Sequence, residues 1–162
     1  MQIVGLYLQK EAIKNHGTDR DQFARSAYNR YYYTVFLSAR AMLEKLDSKW
    51  SRTPHKSYPA LLNGSIAKSF RDAKSRARRN GDHELVSKLD GGIRAAQALA
   101  KVMNKAYGIR VVADYEPAEF VDFSSADRFS LKSVEITEAH GWEGAVELWT
   151  RTILQAWRQI NA

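Results

Sequence analysis

The most regular feature of this 162-residue chain is the return of apolar side chains every three or four positions, which places them on one face of an α-helix. The longest such series is Leu85, Leu89, Ile93, Ala96, Ala100 and Met103. Similar series are bounded by capping residues, glycine and proline. They predict helices over about residues 3–15, 18–46, 59–79, 82–108 and 137–160.

Short polar and glycine-containing segments mark the boundaries of these helices. Gly17 ends the first helix, and Pro59 suits the first turn of the third. The Asn63–Gly64 pair is expected to interrupt the third helix, and Asn80–Gly81 is expected to end it. Asp82 is placed to cap the helix that follows.

The segment from residue 109 to residue 136 is the least regular part of the chain. Gly108 predicts the end of the fourth helix, and Ile109–Val112 reads as extended. Val134 and Ile136 alternate with polar residues, which favours a short strand. Long helices joined by short loops predict an all-α fold, an antiparallel bundle of four to five helices in one domain over residues 1–162.

Composition excludes several classes of protein and site. The chain has no cysteine, so disulfides, thiolate metal sites and cysteine nucleophiles are excluded. Four scattered histidines and the absence of a glycine-rich phosphate loop predict no metal site and no cofactor. No apolar run reaches transmembrane length, and polar residues interrupt the N-terminal segment too early for a secretory signal. We therefore expect a cytoplasmic bacterial or phage-like protein without a membrane partner.

The net charge of +7 favours polyanionic partners, and the positive charge is concentrated in one short segment. Six cations lie within twelve residues beside a single acid, Asp72: Lys68, Arg71, Lys74, Arg76, Arg78 and Arg79. The steps from Lys68 to Arg71, Lys74 and Arg78 are three, three and four residues, so these side chains share one helix face. Such a face is suited to phosphate binding, although a solvated basic face has the same pattern.

A second unusual segment, Asn29–Leu43, places two arginines among aromatic side chains on one predicted helix. Arg30 and Arg40 have apolar residues on either side in the sequence, and a cation in such surroundings requires an ion pair or a bound anion. Asp114 is the candidate partner for a structural ion pair with Arg30 or Arg40.

This segment resembles the first long helix of HEPN domains, which are small helical domains of prokaryotic toxins, defence systems and nucleotidyltransferase partners. The residues that carry the resemblance are Arg30, Tyr32–Tyr33, Phe36, Ala39–Arg40–Ala41 and Leu43, followed by His55–Lys56 and Ala113–Asp114–Tyr115. The likeness as a whole covers about residues 20–158. One departure is Leu37, which stands where many relatives have histidine.

The resemblance implies a homodimer with a symmetric cleft, RNA as substrate, and control by an antitoxin or a nucleotidyltransferase partner. It also implies a catalytic Arg–His pair separated by four to six residues. Arg78 and His83 match this spacing at its short end, and Arg76 with His83 matches at its long end. Metal-independent RNA cleavage needs an acid–base group near the 2′-hydroxyl and a cation on the phosphate, roles that suit histidine and arginine.

Other assignments remain open at this stage. Arg30 and His55 form a second candidate catalytic pair if the fold brings them together. His83 could be only an exposed residue at a helix start, in which case the domain is catalytically silent. Such a domain would bind nucleic acid or a partner protein through Lys68, Arg71, Lys74, Arg76 and Arg79.

Overall fold

The computed structural model describes residues 1–123, 125 and 127–161, and it confirms the predicted all-α helical-bundle class. The helices are α1 (Gln2–Lys14), α2 (Asp19–Leu46), α3 (Tyr58–Leu61), α4 (Ala67–Arg79), α5 (His83–Tyr115) and α6 (Ile136–Ile160). A π-helical turn, Leu62–Ile66, connects α3 to α4, and 3₁₀ turns cover Trp50–Arg52 and His55–Ser57. A small antiparallel hairpin pairs β1 (Ser130–Leu131) with β2 (Val134–Glu135).

The chain divides into two compact units, each built from two separate stretches of sequence. Unit one comprises Met1–Phe36 and Lys105–Gly144, and unit two comprises Leu37–Asn104 and Ala145–Ala162. Helices α2, α5 and α6 contribute residues to both units. The expectation of one domain over residues 1–162 stays a prediction.

Unit one is organised around buried tyrosines of α2. Tyr28 donates a hydrogen bond from Oη to the carbonyl of Val134 over 2.5 Å, and burial raises the pKa of this phenol. Tyr31 donates from Oη to Oε1 of Gln9 over 2.6 Å. A Cβ atom on Gly5 would lie 2.8 Å from the Tyr31 ring, so α1 packs against Tyr31 at a distance that only glycine permits.

Arg25 closes the C-terminal end of α5 within unit one. Its Nη1 donates to the carbonyls of Val112, Ala113 and Glu116 over 3.2 to 3.3 Å, and its Nη2 donates to the carbonyl of Glu119. Its Nε pairs with Asp21. The Val112 and Glu116 carbonyls also accept from backbone N–H groups, those of Glu116 and Glu119. The guanidinium therefore adds a second donor to these two carbonyls and supplies a donor to the carbonyls of Ala113 and Glu119 near the helix end.

Unit two packs α4, α5 and α6 at short distances. A Cβ atom on Gly92 of α5 would lie 2.7 Å from Cβ of Ala156 in α6 and 3.1 Å from the ring of Phe70 in α4. The Phe70 ring also contacts the Trp157 ring edge-on, with centroids 6.0 Å apart. Glycine at position 92 therefore sets the approach of three helices within this unit.

Two boundary predictions were wrong. The fourth predicted helix does not end at Gly108, and Ile109–Val112 is helical rather than extended, because α5 continues to Tyr115. The apolar residues Ile109 and Val112 are buried and continue the helical spacing. The predicted interruption at Asn63–Gly64 takes the form of the π-helical turn, in which the chain stays helical.

Candidate nucleic-acid interface

Helix α4 has one buried face and one cationic face. Ala67, Phe70, Ala73 and Ala77, at spacings of three, three and four, are buried in unit two. This arrangement turns the polar positions toward solvent, as expected for an amphipathic surface helix. The exposed cations are Lys68, Arg71, Arg76, Arg78 and Arg79, and we call them the α4 cations.

The α4 cations are not neutralised within the described part of the chain. No carboxylate there lies within ion-pair distance of any of them. The single acid of the segment, Asp72, is exposed on the same helix. Their positive charge is therefore available to a ligand in solvent.

Positive charge is concentrated in unit two as a whole. Unit two contains 16 Lys and Arg against 7 Asp and Glu, which gives it a net charge of +9. Unit one contains 9 against 11, which gives it a net charge of −2. The overall charge of +7 thus conceals a basic unit and a slightly acidic one.

Lys74 differs from the other cations of this helix. Its Nζ pairs with Oδ1 of Asp90 on α5, and its side chain is only 18% exposed. An ion pair in this position attaches α4 to α5, which gives Lys74 a structural role. We therefore leave Lys74 out of the proposed interface, although the sequence placed it there.

A tight turn connects α4 to α5 and positions the predicted catalytic pair. Gly81 has a φ of +71°, a left-handed conformation that favours glycine after a helix. Asp82 donates from its backbone N–H to the carbonyl of Ala77 over 3.0 Å. The carboxylate of Asp82 then accepts from the backbone N–H of Leu85 over 2.9 Å, which confirms the predicted cap of α5.

Arg78 and His83 lie on opposite sides of this turn, within unit two. Arg78 is in the last turn of α4, His83 is the first residue of α5, and both side chains are exposed. Two acids flank the histidine in sequence, Asp82 and Glu84. The turn therefore combines a cation, an imidazole and carboxylates, a mixture suited to proton transfer but less favourable to phosphate than the α4 cations are.

The alternative pair, Arg30 and His55, is divided between the units. Arg30 is half-buried in the part of α2 that belongs to unit one. His55 is exposed in a 3₁₀ turn of unit two. A catalytic site formed by these two residues stays a prediction.

Asp114 has ionic and hydrogen-bonding partners that the sequence analysis did not name. Its Oδ2 lies 2.8 Å from Nε of Arg110, and its Oδ1 accepts from the side-chain amide of Asn29. Burial by itself lowers the pKa of Arg110, but Asp114 and Tyr115 more than offset this effect and raise it. The i,i+4 spacing of Arg110 and Asp114 was a visible signal for this pair.

The two residues of the predicted Arg40–Asp114 ion pair also belong to different units. Arg40 belongs to unit two and Asp114 to unit one, so their pairing stays a prediction. Within unit two, the positive charge of Arg40 acts on Tyr58: burial raises the pKa of that phenol, and Arg40 partly reverses the effect.

No protein-family model, curated protein or solved structure matches this chain. The resemblance to HEPN domains accordingly stays a prediction. Among the described residues, no three His, Asp or Glu side chains group as a metal site, and no helix is long and apolar enough to cross a membrane.

Proposed function

We propose that this protein binds RNA, with the α4 cations contacting the phosphates. The observation that supports this proposal is the confinement of the excess positive charge to unit two, together with a helix face whose cations have no ionic partner among the described residues. Lys and Arg side chains that neutralise phosphates release counterions, which gives affinity without sequence specificity. The choice of RNA over DNA follows the HEPN resemblance.

The test compares two triple charge reversals of equal size. One variant carries Lys68→Glu, Arg71→Glu and Arg79→Glu on α4. The control carries Lys45→Glu, Lys49→Glu and Arg52→Glu, three other exposed cations of unit two. Both variants lose the same net charge, so a difference between them reports the position of the charges on the protein.

The measurement is fluorescence anisotropy with a labelled single-stranded RNA between 50 and 200 mM salt. For three lost phosphate contacts, the slope of log K against log salt is expected to fall by about 2. The α4 variant should show this change, and the control should keep most of the wild-type slope. Equal weakening by the two variants would contradict the proposed interface.

A second proposed function, metal-independent RNA cleavage, is favoured by the turn that places Arg78 and His83 at the end of the cationic face. Arg78 would hold the scissile phosphate, and His83 would act as general acid or base. The HEPN resemblance extends this proposal to a toxin or defence effector that acts as a homodimer and is controlled by an antitoxin or a nucleotidyltransferase partner.

Incubation of mixed cellular RNA with the protein in EDTA tests for cleavage. His83→Ala should abolish it without changing thermal stability, because the side chain is exposed. His55→Ala is the matched control at another exposed histidine of unit two. Loss of cleavage in the His55 variant alone would place the site at Arg30 and His55, and no cleavage by the wild type would leave the binding function.

A further inference from the structure

A groove of about 450 Å³ lies between α5 and α6 in unit two. It is lined by Lys88, Gly91, Thr152, Gln155, Ala156 and Gln159. A second groove of about 310 Å³ shares Gln159 with it and extends to Arg76 and Ala77 of α4. The two grooves are therefore neighbours that share Gln159 as a wall, one between α5 and α6 and the other beside Arg76 of α4.

Gly91 leaves the first groove open, and helix packing does not require a glycine there. A Cβ atom at this position would lie 3.8 Å from Cγ2 of Thr152, an ordinary contact distance. At the next residue, Gly92, the same atom would overlap Ala156. Glycine destabilises a helix interior relative to alanine. No close contact with a neighbouring helix requires glycine at position 91.

Apart from Lys88, the polar side chains that line the groove are uncharged. Gln155 and Gln159 lie one helical turn apart on α6, and within the described part of the chain neither side-chain amide has a hydrogen-bond partner. The Thr152 hydroxyl donates to the carbonyl of Leu148 over 2.9 Å and keeps lone pairs that can accept. Nζ of Lys88 lies 2.6 Å from Oε1 of Glu84, in an exposed ion pair whose two charges sum to zero. The groove thus offers donors and acceptors to a neutral polar ligand rather than a positive site for a phosphate.

We infer that this groove binds one unpaired nucleobase of an RNA strand whose phosphates lie along the α4 cations. A side-chain amide can form two hydrogen bonds to one base edge, and a groove of this volume falls in the range of small-ligand sites. Arg76 of α4 lines the second groove, on the side where the phosphate attached to the bound base would meet the α4 cations. The substrate class is single-stranded RNA, since the bases of an A-form duplex are not accessible to side chains in this way.

This inference rests on the proposed RNA-binding function, and the experiment separates the two. Gly91→Leu fills the groove without altering any charge. The control is Gly108→Leu on the same helix, an exposed position where a Cβ atom would meet no neighbouring side chain within 4 Å. Gln155→Met with Gln159→Met removes the amides at nearly constant volume, and it tests the groove without relying on the fold of the Gly91 variant.

Anisotropy titrations use single-stranded and double-stranded RNA of equal length. The wild type should prefer the single strand, and Gly91→Leu and the double methionine variant should each weaken single-strand binding about tenfold. Binding to the duplex, which depends on the α4 cations, should stay within twofold of wild type in both variants. Gly108→Leu should match the wild type with both RNAs.

Unchanged single-strand affinity in both groove variants would overturn the groove assignment and leave the proposed function intact. Equal weakening with single and double strands would also overturn it, because a base cannot enter the groove from a duplex. If the wild type binds neither RNA, the proposed function and the groove assignment both fall.

Discussion

Two adjacent glycines of α5 should respond to the same substitution with opposite signs. Gly91→Ala places a methyl group 3.8 Å from the nearest atom, Cγ2 of Thr152, where it fits. Gly92→Ala places it 2.7 Å from Cβ of Ala156 and 3.1 Å from the Phe70 ring. Both Ala156 and Phe70 are buried, and the Ala156 methyl cannot move by rotating a side chain.

The magnitudes follow from two competing contributions. Alanine is favoured over glycine by about 1 kcal/mol in a helix interior, and this gain applies at both positions. Overpacking a close-packed core costs about 1 to 3 kcal/mol, and this cost applies only at Gly92. With the cost near its upper end, Gly91→Ala should stabilise the protein by about 1 kcal/mol and Gly92→Ala should destabilise it by about 2 kcal/mol.

Urea unfolding followed by tryptophan fluorescence measures both changes. The Trp157 ring contacts the Trp50 and Phe70 rings within unit two, with centroids 5.5 and 6.0 Å apart, so its emission should change when α4 and α6 separate. A difference of about 3 kcal/mol between the variants corresponds to roughly 6 to 12 °C in Tm for a chain of this size. If Gly92→Ala proves as stable as Gly91→Ala, the close approach of the three helices is wrong.

Two further predictions concern unit one. Arg25→Met should lower the free energy of unfolding by about 2 to 3 kcal/mol, because it removes the cation that pairs with Asp21 and the donor to the carbonyls of Ala113 and Glu119; urea unfolding measures the loss, and a change below about 0.5 kcal/mol would refute the capping role. Burial raises the pKa of Tyr31 to about 12 from its ordinary value of 10.0, so the phenol should contribute its full stability below pH 10 and lose it as the pH rises through 12. The free energy of unfolding should fall by about 2 to 3 kcal/mol over this range. Because Tyr31→Phe lacks the titrating phenol, its free energy of unfolding should fall less steeply above pH 10. An unchanged pH dependence would contradict the assignment of this loss to Tyr31.

Local patterns in the sequence predicted the elements around the α4–α5 turn. The spacing of apolar residues, the Asn80–Gly81 stop and the Asp82 cap are each decided by residues within one or two helical turns. For the same reason the amphipathic character of α4 and its exposed cations could be predicted. These features require no knowledge of what the helix packs against.

The features that the sequence did not reveal depend on contacts between distant residues. The end of α5 was placed at Gly108, whereas its actual end is held by Arg25, which lies 87 residues before Val112 in the chain. Lys74 was predicted to bind phosphate because its spacing matches that of the other cations of the helix. Its ionic partner, Asp90, lies on the next helix, and the local pattern does not reveal this contact. The different packing of Gly91 and Gly92 depends on atoms of α4 and α6, which local sequence does not place beside them.

The division into units changes how the charge of this protein should be interpreted. Each unit combines two separate stretches of the chain, and in unit two the stretch 37–104 carries 14 Lys and Arg against 6 Asp and Glu. The average of +7 spread over 162 residues describes a moderately basic protein, whereas unit two alone has a net charge of +9. A polyanion within a Debye length of the α4 cations responds mainly to the charges near them, and this length is about 8 Å at physiological salt. The salt dependence of RNA binding should therefore follow the α4 cations and the charges near them within unit two.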